Sequence, residues 1–141
     1  MCSICGGNIG KEFIEKASNA MTHRGPDGSG IFADEYISLA HNRLSIIDLS
    51  NEAAQPMFDD ELVLVYNGEI YNYVEIKGEL QSKGVTFHTS SDSEVLLKAY
   101  RYWGVACLGK FNGDFAFCIY DKKTKKLFMA RDRLGNKPFY Y

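Results

Sequence analysis

The chain has 141 residues, enough for one well-buried core and short for two. Its 16 Lys and Arg stand against 18 Asp and Glu, and this formal charge of −2 offers nucleic acid or an anionic membrane no electrostatic reason to bind. Hydrophobic residues at 45% and charged residues at 24% describe a packed globule, with no apolar run near the ~20 residues of a membrane helix.

The N-terminus lacks the basic, apolar and small-residue layout of a signal peptide. Cys2, Cys5, Cys107 and Cys118 therefore read as reduced thiols of a cytoplasmic protein, not as a disulfide framework. Cys2 to Ile9 is a short apolar, Gly-rich opening strand. Phe13, Ile14, Ala17, Ala20 and Met21 recur at helical spacing and predict one amphipathic helix. His23 to Gly28 breaks it, because Pro and Gly punctuate so strongly. Ile31–Phe32, Ile37–Ala40 and Leu44–Ile47 read as successive strands, followed by a polar loop through Pro56. The run Leu62 to Tyr66 reads as a strand that ends in an Asn67-Gly68 turn.

Two helices follow. Tyr73, Ile76 and Leu80 mark the first. Ser91-Asp92-Ser93-Glu94 has capping-box spacing and opens the second, with Val95, Leu96, Ala99, Tyr100 and Trp103 on one face. Phe115–Tyr120 and Leu127–Ala130 read as strands joined by a charged hairpin, and Phe139–Tyr141 as a further apolar strand. Strands apolar on both faces are buried on both sides. Two sheets covered by helices satisfy that pattern, an α+β layered sandwich.

Cys2 follows the initiator Met1, and removal of Met1 would leave a thiol and a free α-amine on one residue. The thiolate is the competent nucleophile, and an ordinary thiol, with a pKa of about 8.5, is only slightly ionised at neutral pH. An α-amine titrating near ~7.7–8.0 can take the thiol proton and later return it to a leaving amine. Alone, a Met-Cys start is a weak signal, since an isolated Cys is more often a small core hydrophobe.

Six motifs in order strengthen it: Met1-Cys2-Ser3-Ile4, His23-Arg24-Gly25-Pro26-Asp27, His41 to Asp48, Asn67-Gly68-Glu69-Ile70-Tyr71-Asn72, Ser91 to Glu94 and Arg131-Asp132-Arg133-Leu134-Gly135. Over essentially the whole chain they resemble the class II glutamine amidotransferase domain, of the N-terminal-nucleophile type, that opens glutamine-hydrolysing asparagine synthetases. The resemblance implies a four-layer αββα sandwich and free L-glutamine as substrate. It implies Cys2 as nucleophile and Asn67 and Gly68 as the oxyanion hole. Arg43 is implied as the clamp on the substrate carboxylate, its planar fork matching both oxygens. Glu69 and Asp92 match the acidic positions that receive the substrate ammonium.

Taken singly, each has a blander meaning. Arg43 fits a surface ion pair, Asn67-Gly68 a turn, Glu69 a solvated acid and Asp92 a first-turn helix acid favoured by the dipole. Gly28-Ser29-Gly30-Ile31-Phe32-Ala33 fits a loose dinucleotide pattern, but it enters a strand-like run where that motif opens a helix. Cys2-Ser3-Ile4-Cys5 has redox-pair spacing without the downstream helix, and His23, His41 and His88 are too scattered for a zinc site, so no metal is expected. Cys107 and Cys118 read as core thiols, and Arg24 to Asp27 as a pocket-shaping loop with internal hydrogen bonds, not a catalytic group.

The resembling domains continue well past residue 141. The expectation is therefore an incomplete glutaminase domain over residues 1–141, truncated at its C-terminus, with open strand edges that favour self-association, a homodimer included. An ATP-pyrophosphatase synthetase domain, in the same or another chain, is the expected partner. ATP and magnesium would act only there, and no cofactor is expected on this chain. The competing readings are a non-catalytic relative that binds or regulates, and an amidotransferase for another acceptor.

Overall fold

A computed structural model describes all residues, 1–141. Ten regular elements follow one another: β1 (Ser3–Gly7), α1 (Lys11–Ala20), β2 (Gly28–Ala33), β3 (Ser38–Arg43), β4 (Met57–Asp59), β5 (Leu62–Ile70), α2 (Tyr73–Ser82), α3 (Asp92–Trp103), β6 (Gly113–Asp121) and β7 (Lys126–Arg131). The strands form two antiparallel sheets, ordered β1-β3-β2 and β4-β5-β6-β7. Helix α1 packs on the first sheet, while α2 and α3 pack together, with α3 on β4 and β5 of the second. The order of layers is α1, first sheet, second sheet, helix pair: the αββα sandwich.

Alternation along β5 and β6 builds both interfaces of the second sheet. Val63, Val65, Cys118 and Tyr120 face the first sheet and meet Leu39 and Ile37. Leu64, Tyr66, Phe115, Phe117 and Ile119 face the helices and meet Ile76, Leu80, Val95 and Leu96. Burying one such large side chain contributes about 1.5–3 kcal/mol, which explains why β5 and β6 read as continuous apolar runs. Cys107 and Cys118 are buried in these layers, as their apolar neighbours in sequence predict.

Helix α1 departs from the predicted apolar stripe. Phe13 is exposed, and the buried positions are Ile14 and Ser18. The Ser18 hydroxyl donates to Asn42 Oδ1 at 2.8 Å, and Asn42 Nδ2 donates to Ser3 Oγ at 3.0 Å and to the Ser18 carbonyl at 2.8 Å. One buried amide thus ties α1 to β1 and β3, doing with hydrogen bonds what the stripe was expected to do with carbon. At α3 the Ser91 hydroxyl accepts from the Glu94 N–H at 3.2 Å, the expected cap. The Glu94 carboxylate reaches further back than a capping box requires, accepting from the His88 and Thr89 N–H groups. The helix ends at Gly104, whose φ of +58° suits a residue without Cβ.

Three expected segments differ. Leu44–Ile47 is an irregular loop, because its N–H groups bond to side chains instead of a neighbouring strand. Asn67-Gly68 is no turn: β5 runs on to Ile70, with Asn67 opposite Ala116 and Gly68 opposite Phe115. A Cβ on Gly68 would strike the Asp114 carbonyl oxygen and lie 2.6 Å from Phe115 Cα, so glycine here answers a close strand approach. Phe139–Tyr141 forms no strand, and Tyr140 and Tyr141 lie exposed. No helix is long and apolar enough to cross a membrane.

Candidate active site

Cys2, Arg43, Asn67, Gly68, Glu69 and Asp92 all line one pocket of about 130 Å³. The fold brings them from four places: the residue before β1, the end of β3, the second half of β5 and the first turn of α3. Met1 lies at the same pocket, 58% exposed.

The Cys2 sulfur sits beside the chain that leaves β3. The Leu44 N–H donates to it at 3.3 Å, and the Leu44 carbonyl lies 3.6 Å away. Arg24 Nε donates to the Cys2 carbonyl at 3.4 Å. The Asp27 carboxylate accepts the Ser45 N–H at 2.8 Å, and the Asp27 N–H donates to the Arg43 carbonyl at 3.0 Å. The Arg24–Asp27 loop lies outside the pocket lining, and where internal hydrogen bonds were expected its bonds cross instead to Cys2 and to the loop after β3. Cys5, three residues on within β1, is half-buried, and burial pushes its thiol pKa up.

Arg43 is held from behind. Its two terminal nitrogens donate to the Ser50 carbonyl at 2.7 Å and to the Asp48 carbonyl, leaving further N–H groups of the fork for a ligand. The Asp48 carboxylate accepts the Ser50 N–H at 2.8 Å, and both the N–H and hydroxyl of Ser90 at 3.0 Å. The Ser50 hydroxyl and amide, then the Ser90 amide, hold the Asp48 carboxyl well below the usual range. The loop behind Arg43 is thereby fastened to the segment that leads into α3 and Asp92.

Asn67 is buried, and its side-chain amide makes no hydrogen bond within the protein. Such an amide in a pocket wall is a donor available to a ligand oxygen. Glu69 is exposed beside it, whereas Asp92 is 5% exposed. Burial raises the Asp92 carboxyl pKa, and the Glu69 charge pushes the same way. Two carboxylates that repel each other across a pocket favour a cation between them. Arg43 supplies the opposite charge, so the walls suit a zwitterion.

Several lining residues escaped the sequence reading: His41, Gln55, Tyr66 and Lys137. Tyr66 and His41 sit inside apolar strand runs that look like core, and no local pattern marks them. His41 lies within one of the quoted motifs, which was the one available signal.

The layered fold matches a solved structure titled glutamine phosphoribosylpyrophosphate amidotransferase from Bacillus subtilis, with a TM-score of 0.77 and 22% identity. The match covers 93% of this chain and 36% of that one. This is the sandwich of the N-terminal-nucleophile amidotransferases. A family model described as glutamine amidotransferase domain matches residues 1–141, and the chain belongs to that family. It is 45% identical over 132 residues to asparagine synthetase [glutamine-hydrolyzing] 1 of Bacillus subtilis, covering 93% of this chain and 21% of that protein. It is 41% identical over 149 residues to asparagine synthetase B [glutamine-hydrolyzing] of Escherichia coli, covering 99% of this chain and 26% of that protein. The chain thus spans about a quarter of the length of these curated relatives.

Proposed function

We propose that this domain hydrolyses L-glutamine to glutamate and ammonia through a thioester on Cys2, and passes the ammonia to a synthetase domain that amidates an acceptor. The observation that carries this reading is the meeting of Cys2, the unpartnered Asn67 amide, Arg43 and the Glu69–Asp92 pair in one pocket. With Met1 removed, the Cys2 α-amine takes the thiol proton, and the sulfur attacks the side-chain amide carbon of glutamine. The Asn67 amide and the Gly68 N–H hold the oxyanion. The C–N bond then breaks, and ammonia leaves with the proton returned by the Cys2 ammonium. Water opens the γ-glutamyl thioester, giving glutamate and the free thiol. Arg43 binds the α-carboxylate; Glu69 and Asp92 bind the α-ammonium.

The names of the relatives support asparagine synthesis as the use of the ammonia. ATP and magnesium enter only with the synthetase domain, where the acceptor is activated. Intact mass and ammonia release from natively expressed protein test the reading together. The expected result is loss of the mass of one Met and glutamine-dependent ammonia that Cys2→Ala abolishes. Full retention of Met1, or turnover indifferent to Cys2→Ala, refutes it.

A further inference from the structure

Tyr66 is bonded in two directions beneath the pocket. Its N–H donates to Gln55 Oε1 at 2.6 Å, and Gln55 Nε2 donates to Ser93 Oγ at 3.2 Å, so one buried side chain ties β5 to the first turn of α3. The Tyr66 hydroxyl donates to Asp92 Oδ2 at 2.6 Å, and the Ile70 N–H donates to the same oxygen at 3.0 Å. Tyr66 is 2% exposed and Asp92 5%, so solvent hardly competes for either bond. Both donors fall on Oδ2, so β5 anchors the carboxylate by that one oxygen.

We propose that Tyr66 is a positioning and specificity-determining residue, whose hydroxyl holds the Asp92 carboxylate so that the pocket selects amides bearing an α-ammonium over those without one. This rests on the assignment of the substrate ammonium to Glu69 and Asp92. The aromatic ring packs in the helix-side core whether or not it carries oxygen, so the hydroxyl is the part with a task at the site. Charge-assisted hydrogen bonds of this length are the strong kind. Burial acts to neutralise Asp92, and the bonds from Tyr66 and Ile70 oppose it.

Tyr66→Phe keeps the ring and removes only the hydroxyl. The test uses the full chain with Met1 processed. Two amides are compared as protectors of Cys2 against iodoacetamide: L-glutamine, and 5-amino-5-oxopentanoate, which is glutamine without its α-amine. Ammonia release supplies kcat and KM for glutamine, and thermal melting reports on the fold. In Tyr66→Phe the half-protecting glutamine concentration should rise about tenfold. That of the desamino amide should move less than twofold, and the turnover loss should fall on KM. Asp92→Asn is measured beside it. If Asp92→Asn shows the glutamine-selective loss and Tyr66→Phe does not, the role of Tyr66 is overturned while the pocket assignment stands. Equal losses on both amides in Tyr66→Phe mark a structural residue and also overturn it. If Asp92→Asn leaves the preference for glutamine intact, the ammonium assignment fails and takes this proposal with it.

Discussion

The Leu44 N–H donates to the Cys2 sulfur across 3.3 Å, so the first residue beyond β3 orients the candidate nucleophile that precedes β1. The chain can make this contact because Ser45, the next residue, gives its N–H to Asp27 and not to a strand. Asp27→Ala should therefore free the loop and misplace the thiol. Loss of a single exposed hydrogen bond costs about 1 kcal/mol of stability, so the fold should survive. The rate of Cys2 alkylation and kcat/KM for glutamine should both change, with kcat/KM falling about fivefold. Unaltered values for both would show that Leu44 is held without Asp27.

Arg43 and Asn67 should separate binding from chemistry. A carboxylate clamp acts equally in ground and transition states, so Arg43→Ala should mainly raise KM. The Asn67 amide serves an oxygen that becomes negative only after attack. Asn67→Ala should lower kcat by about 100- to 1,000-fold, or about 2.7–4 kcal/mol. Steady-state kinetics with the pattern reversed would exchange the two roles.

Gly68→Ala should be costly wherever it is measured. Its Cβ would meet the Asp114 carbonyl oxygen and the Phe115 backbone, and backbone cannot swing aside as a flexible side chain can. A loss of about 1–3 kcal/mol or more is expected in chemical unfolding, with glutaminase turnover falling as β5 and β6 are pushed apart. Wild-type stability in this variant would mean that the two strands separate easily.

His41 gives the protein a calculable acid sensitivity. Its ring is 1% exposed between the sheets, and neither nitrogen has a hydrogen-bond partner. Burial lowers its pKa from 6.5 to about 4; the nearby Tyr66 backbone, too poorly placed for a full hydrogen bond, opposes this and the Arg43 charge adds to it. The unfolded chain takes up the proton first as pH falls. The stability that comes from keeping His41 neutral is thus complete above about pH 6.5 and is lost toward pH 4, up to about 3 kcal/mol. Melting temperature should fall less steeply between pH 7 and pH 5 in His41→Gln than in the wild type. Parallel slopes would remove His41 as the cause.

Periodicity and punctuation carried the layers of this fold. The alternation through Leu62–Tyr66 and Phe115–Tyr120, and the cap at Ser91, are local signals that tertiary structure had no reason to override. The errors lie where a backbone group bonds to a distant side chain. Leu44–Ile47 has strand composition, yet its donors go to Cys2 and Asp27, over 42 and 18 residues of chain respectively. Asn67-Gly68 has turn composition, yet the need for close packing against Phe115 keeps it in β5. In the site, the six residues named from motifs do share one pocket. Tyr66 and Gln55 were not legible, since their tasks depend on Asp92 and Ser93, and no spacing within the chain reports that pairing.

The proposed glutaminase chemistry requires Cys2 to act from a free N-terminus, and the most direct test is peptide mapping after reaction with 6-diazo-5-oxo-L-norleucine, a glutamine analogue that alkylates the attacking thiol. One adduct per chain is expected, on Cys2 of molecules that have lost Met1, with glutamine protecting against it. An adduct on half-buried Cys5, or on buried Cys107 or Cys118, or no adduct on processed protein, would contradict it.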